Sequence, residues 1–152
     1  MRILAVIGAL AIVIGVGAAV FFFGGFYSVA GTAEDPPVQD QPPSSINDPA
    51  SVRAGAKAFA AHGCTTCHGG PGVSWATFSE GLHPDPPDLK KVVDQRTPAQ
   101  LFWIVKNGIN MTGMPSFALA DVKDDEIWSI VAFLKKLPGV SEADYKAWTA
   151  AP

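Results

Sequence analysis

The distribution of apolar positions divides the chain into three. From Ile3 to Phe26 run 24 residues without a charged or strongly polar side chain. As a helix this stretch covers about 36 Å at about 1.5 Å per residue. A bilayer core is about 30 Å thick and needs about 20 apolar residues, so residues 1–30 are expected to form a transmembrane anchor. A cleavable secretory signal has a shorter apolar region, about 7 to 15 residues. Ser28-Val29-Ala30 nevertheless has the small-x-small form of a cleavage site, so release near Ala30 is the alternative. Residues 31–48 carry four prolines and four carboxylates (Glu34, Asp35, Asp40, Asp48) among few apolar side chains. Such a stretch buries no core of its own and is expected to be an extended linker.

Residues 49–152 show helical spacing. Asp48-Pro49 suits an N-cap and first helical position. Val52, Ala56, Phe59 and Ala60 then recur at i, i+4, i+7 and i+8, and Gly63 closes the helix. Gly55 on that face lowers helix propensity by about 1 kcal/mol against alanine, which close approach of another helix would offset. Residues 69–89 are dense in glycine and proline and predict a long loop wrapped around something. Thr97-Pro98-Ala99-Gln100 is a capping box with proline at the first position. Leu101, Ile104 and Val105 form the face of that helix, and Asn107-Gly108 ends it. A loop with Met111 and Met114 follows.

A strong helix is predicted from Asp124 to about Leu137, burying Ile127, Ile130, Val131, Leu134 and Leu137. Asp124, Asp125 and Glu126 suit its positive end, and Lys135 and Lys136 its negative end. Lys123 stands where a capping side chain belongs, so the first turn is expected to fray. Ser141 to Asp144 starts a short last helix with Tyr145 and Trp148 on one side. No segment alternates with period two, so the expected class is all-α.

Charge refines the picture. The net charge is -3, and the linker's four carboxylates exceed it; from Ser51 onward there are ten Lys/Arg and ten Asp/Glu. No basic excess suggests nucleic acid as a partner. Arg2 and the N-terminal amine are the only positive charges before the apolar run. The positive-inside rule then leaves the N-terminus in the cytoplasm and places residues 49–152 in the periplasm. Gly8, Ala11, Gly15 and Ala19 make a small-residue stripe that admits a partner helix or simply faces lipid.

The chemistry centres on Cys64-Thr65-Thr66-Cys67-His68, which uses both cysteines of the chain. Cys-x-x-Cys-His is the attachment motif of a c-type haem: two thiols on one turn reach the porphyrin vinyl groups, and His68 becomes the proximal iron ligand. A redox dithiol would call for a βαβ setting, and none is visible. The carbonyl of Pro84, Pro86 or Pro87 is expected to accept from Nδ1–H of His68 and fix its tautomer. Trp75 and Phe78 either line the haem or fill a small core of their own. For the distal position Met114 is preferred over Met111. Gly113 lets the backbone approach, Pro115 stiffens the loop, and Phe117 supplies an aromatic. His83 is the candidate for bis-histidine ligation, and His62 suits a helix C-terminus. No Ser/His/Asp set, phosphate loop or paired carboxylates suggests an enzyme.

Taken in order, Gly55 and Phe59, the Cys64–His68 motif, the proline-rich loop, Gly113-Met114-Pro115-Ser116-Phe117, and a last helix with Trp128 and Phe133 resemble the class I c-type cytochromes. The likeness is to single-haem bacterial domains of respiratory and dehydrogenase chains, some of them membrane-anchored. It covers about residues 49–139. The resemblance implies an all-α cytochrome c fold with one haem c, the first and last helices crossing near their glycine and aromatic residues. It implies an electron carrier rather than an enzyme, working between redox protein partners. The alternatives are a haem enzyme or sensor with an open sixth position, or a fixed cytochrome subunit of an oxidase or dehydrogenase complex.

Overall fold

The computed structural model describes residues 6–20 and 41–150, and the chain divides into two units, Met1–Asp35 and Pro36–Pro152. In the first, residues 6–20 form one helix, α1, with Val6, Ile7, Leu10 and Ile14 exposed. Among the described residues no helix is long and apolar enough to cross a membrane. The remainder of the expected anchor, and residues 31–40 of the expected linker, lie outside the described residues.

The second unit contains a 3-10 helix, Ser44–Asn47, followed by α2 (Pro49–Ala61), α3 (Cys64–His68), α4 (Leu89–Val92), α5 (Pro98–Asn107), α6 (Asp124–Lys136) and α7 (Glu142–Thr149). Among the described residues there is no strand, only an isolated bridge between Gly70 and Val73. The all-α expectation therefore holds. The tail of the stretch expected to be extended is instead folded: Ile46 of the Ser44–Asn47 turn packs against the domain core. One apolar side chain with a core to reach is enough to end the linker early.

The core forms where α2 crosses α6. Val52, Ala56 and Phe59 from one helix and Ile127, Ile130, Val131, Phe133 and Leu134 from the other are buried. The Phe59 and Phe133 rings meet at 5.3 Å between centroids, tilted by 56°. Gly55 lies under the backbone of Ser129, so close that a Cβ would overlap that carbonyl. This is the close approach that offsets its poor helix propensity.

The start of α6 departs from expectation. Lys123 provides no cap, yet the first turn is tied at two points. Lys106 Nζ donates to Asp124 Oδ2 at 2.9 Å, and His62 Nε2 lies 3.0 Å from Glu126 Oε1. His62 thus bridges α2 to α6 rather than merely facing a helix dipole. On α5 the capping box forms as expected. Phe102, which the spacing did not single out, is almost fully buried and stacks on Trp128 at 4.1 Å, while Ile104 is only half-buried. Lys135 Nζ donates to the carbonyls of Val93 and Arg96, joining the segment before α5 to the end of α6. In α7 the Ser141 hydroxyl accepts from the Asp144 amide, and buried Tyr145 stacks on Phe133 at 5.6 Å.

Candidate functional site

The two cysteines and His68 sit on α3, a five-residue helix that begins directly after Gly63, whose φ is 74°. The following loop is pinned back onto this turn. The carbonyl of Thr66 accepts from the Ala76 amide at 2.8 Å and from the Ser79 hydroxyl at 3.0 Å. Ser79 is buried, so its hydroxyl needs that partner. Cys64 and Cys67 are half-buried free thiols.

Burial pushes the Cys64 thiol up to about 12, its backbone hydrogen bond opposing and the neighbouring Cys67 adding to the rise. Reactive dithiols work the other way, through a depressed thiol pKa. An environment that disfavours charge on this sulfur suits a neutral thioether and argues against redox dithiol chemistry.

His68 Nδ1 donates to the Pro87 carbonyl at 3.0 Å. Of the three prolines open on sequence grounds, Pro87 fills the role. Its carbonyl holds the proton on Nδ1 and leaves Nε2 as the lone-pair nitrogen that a metal takes. Burial pushes the His68 pKa down, against the raising effect of the Pro87 hydrogen bond, which favours the neutral, ligating form. A cavity of about 270 Å³ lies beside His68, lined by Trp75, Leu89 and Leu137 among others.

The methionine loop is held against the end of α5. Gly108 has φ 70°, and a Cβ there would lie 2.7 Å from Met114 O and 2.6 Å from Pro115 C. Only glycine both adopts this backbone and lets the loop lie so close. The Ile109 amide donates to Met114 O at 3.1 Å, the Ser116 hydroxyl to Lys106 O at 2.8 Å, and the Met114 amide to Thr112 Oγ1 at 3.1 Å. Met114 is half-buried against the core, whereas Met111 is 66% exposed with φ 60°.

The 69–89 loop touches both the His68 turn and the methionine loop. Pro87 holds His68, and Leu82 abuts Gly113, where a Cβ would come within 2.9 Å of Leu82 Cδ1. The space that Gly113 leaves is thus used by Leu82. His83 lies exposed in the same loop. Trp75 and Phe78 form no small core: they are 47% and 62% exposed, and Trp75 Nε1 donates to Glu80. A larger cavity of about 840 Å³ lies between the Ser44–Asn47 turn, α2 and the start of α6, and none of Cys64, Cys67, His68 and Met114 lines it.

The half-buried Cys64 and Cys67 sulfurs, an imidazole whose Nδ1 is tied to Pro87, and a thioether on a braced loop are side chains whose chemistry fits a covalently held haem.

Comparison with known proteins agrees. Residues 50–134 match the family described as cytochrome C oxidase, cbb3-type, subunit III. Over 98 residues the chain is 37% identical to the quinohemoprotein alcohol dehydrogenase ADH-IIG of Pseudomonas putida, covering 60% of this chain and 12% of that enzyme. The likeness is therefore to a small part of that relative. No solved structure matches.

Proposed function

We propose that this chain, which belongs to the cytochrome C oxidase cbb3-type subunit III family and so carries a covalently bound haem c, passes single electrons between protein partners through a His68/Met114-ligated iron. The observation that carries the reading is the hydrogen bond from His68 Nδ1 to Pro87 O within a Cys-x-x-Cys-His turn. The haem supplies a ferric/ferrous couple; the chain supplies its grip, orientation and surroundings. Cys64 and Cys67 hold the porphyrin as thioethers. Pro87 orients the imidazole and keeps it neutral. Gly108, Thr112 and Ser116 brace the loop so that Met114 keeps its place. A thioether ligand favours the reduced state and raises the potential above bis-histidine ligation.

The haem domain works in the periplasm, tethered by residues 1–30 and spaced from the membrane by the residues that precede the Ser44–Asn47 helix. The uncharged run from Ile3 to Phe26 supports the tether. The dehydrogenase relative supports a second form of the same reading, in which the domain is a fixed electron acceptor within a dehydrogenase or oxidase complex.

The test pairs Met114→Ala with Met111→Ala in the haem-loaded protein. The near-infrared charge-transfer band of methionine-ligated ferric haem vanishes in the first and survives in the second. The reverse pattern moves the ligand to Met111, and absence of the band in the wild type favours an open or bis-histidine site. Mass analysis of membrane-extracted protein that finds a mature N-terminus at Gly31 removes the tether.

A further inference from the structure

His62 closes α2, its amide donating to Ala58 O at 2.9 Å, and it stands two residues before Cys64. Its half-buried side chain reaches two other segments of the chain. Nε2 lies 3.0 Å from Glu126 Oε1 in the first turn of α6. An ionised carboxylate only accepts, so Nε2 carries the hydrogen and donates it to Glu126. That bond ties one edge of the ring.

The second partner is Phe117. The two rings lie 6.0 Å apart between centroids, with 75° between their planes, the edge-to-face arrangement that aromatic pairs favour. Phe117 is buried and ends the segment Gly113-Met114-Pro115-Ser116-Phe117, three residues beyond Met114. Its backbone closes the methionine loop. The Phe117 amide donates to Val105 O on α5 at 3.3 Å, and its carbonyl accepts from the Ala120 and Val122 amides at 3.1 Å each. The hydrogen bonds that brace Met114 come from α5 and from the loop itself. Through the Phe117 ring, His62 adds a hold from the end of α2 and the start of α6.

From this geometry we infer that His62 is a positioning residue for the distal ligand: Glu126 fixes its ring, the ring fixes Phe117, and Phe117 fixes the end of the loop that carries Met114. The inference rests on the His68/Met114 reading above. A loop can open while the rest of a domain stays folded, and His62 acts on that local step. The Lys106–Asp124 ion pair provides the contrast. It ties the same turn of α6 at 2.9 Å, but through α5 rather than through His62.

The experiment titrates the haem-loaded ferric protein with imidazole, which competes with Met114 for its position, and follows loss of the near-infrared methionine band. Thermal melting is recorded alongside. Wild type is compared with His62→Leu, Glu126→Ala, Glu126→Gln and Asp124→Ala. His62→Leu and Glu126→Ala each bind imidazole about fivefold more tightly, the factor that one edge-to-face ring contact is worth. Glu126→Gln keeps an acceptor for Nε2–H and titrates like wild type. Asp124→Ala loses the Lys106 tie and also titrates like wild type. Wild-type imidazole affinity in His62→Leu overturns the inference, whatever the melting temperature; if that variant takes up no haem, the same result in Glu126→Ala, a change at a side chain 44% exposed, overturns it. An equal gain in Asp124→Ala also overturns it, because the effect then belongs to the stability of α6 as a whole. So does Glu126→Gln behaving like Glu126→Ala, which assigns the effect to charge rather than to the fixed ring. A wild type without the methionine band overturns the Met114 reading itself, a result distinct from all of these.

Discussion

Replacing Gly55 with alanine tests whether the α2–α6 crossing is the mechanical centre of the fold. In isolation the change should help, since alanine is favoured over glycine by about 1 kcal/mol in a helix interior. The structure opposes it. A Cβ at position 55 overlaps the Ser129 carbonyl oxygen, lies 2.5 Å from its carbon and 3.0 Å from Phe133 Cβ. Carbon atoms pack at about 3.5–4.0 Å, so α2 and α6 must part by about 1 Å. The obstacle is backbone and cannot rotate away. Parting the helices loosens Ala56, Phe59, Ile130 and Phe133, all at 2% exposure or less. Overpacking costs about 1–3 kcal/mol when side chains can adjust; against backbone the upper end applies, leaving a net loss of about 2 kcal/mol. For a domain of this size that lowers Tm by about 8–16 °C. Far-ultraviolet circular dichroism melts of the haem-loaded protein measure it, with Gly81→Ala as control because a Cβ there meets nothing within 4 Å. A Gly55→Ala protein melting at or above wild type refutes the argument, since propensity would then have outweighed contact.

Three further outcomes are expected. Thr97→Ala removes one half of the α5 capping box and costs about 1 kcal/mol, read as a Tm lower by about 4–8 °C; an unchanged Tm would show that the box is dispensable. Asp88→Ala removes the acceptor for the Lys90 amide at the start of α4, next to the Pro87 carbonyl that holds His68. The hydrogen bond from Lys91, above all, holds the Asp88 carboxyl below the usual carboxylate range. Its contribution is therefore present above that range and lost as pH falls through the lowered value, so wild type and variant differ in Tm at neutral pH and converge in acid. Electron exchange with a small redox protein depends weakly on ionic strength, because residues from Ser51 on carry ten positive and ten negative side chains; a steep dependence in stopped-flow would reveal a patch concentrated by the fold.

The features legible in the sequence are those set by near neighbours. The stripe Val52, Ala56, Phe59 needs only the helical period, and the Thr97–Gln100 box only three residues. Gly55 was legible as a question, because a glycine on a buried face requires a partner, and the crossing supplies one. Contacts between distant segments were not legible. His62 and Glu126 are 64 positions apart. Each is ordinary alone, and only the crossing of α2 and α6 brings them together. Phe102 falls between the positions that a single stripe marks, and its stack on Trp128 depends on how α5 lies against α6. Tyr145 read as one side of a short terminal helix; nothing in its neighbours stacks its ring on Phe133.

The two methionines show how local and distant information combine. Both are thioethers on one loop, three residues apart, and side-chain chemistry cannot separate them. The sequence supplied Gly113 and Pro115 as reasons to prefer Met114. The fold adds reasons of another kind. Met111 takes a left-handed backbone at an exposed turn, where no contact would hold a ligand still. The Met114 backbone is tied at both its amide and its carbonyl, and Gly108 lets that carbonyl lie against the end of α5. A ligand that must keep one position through each change of iron charge needs its backbone fixed before its side chain can be. That bracing comes from Gly108, Ile109 and Thr112, residues that carry no ligand chemistry. On the proposed Met114 ligation, a substitution at Gly108 disturbs the methionine band without touching the methionine.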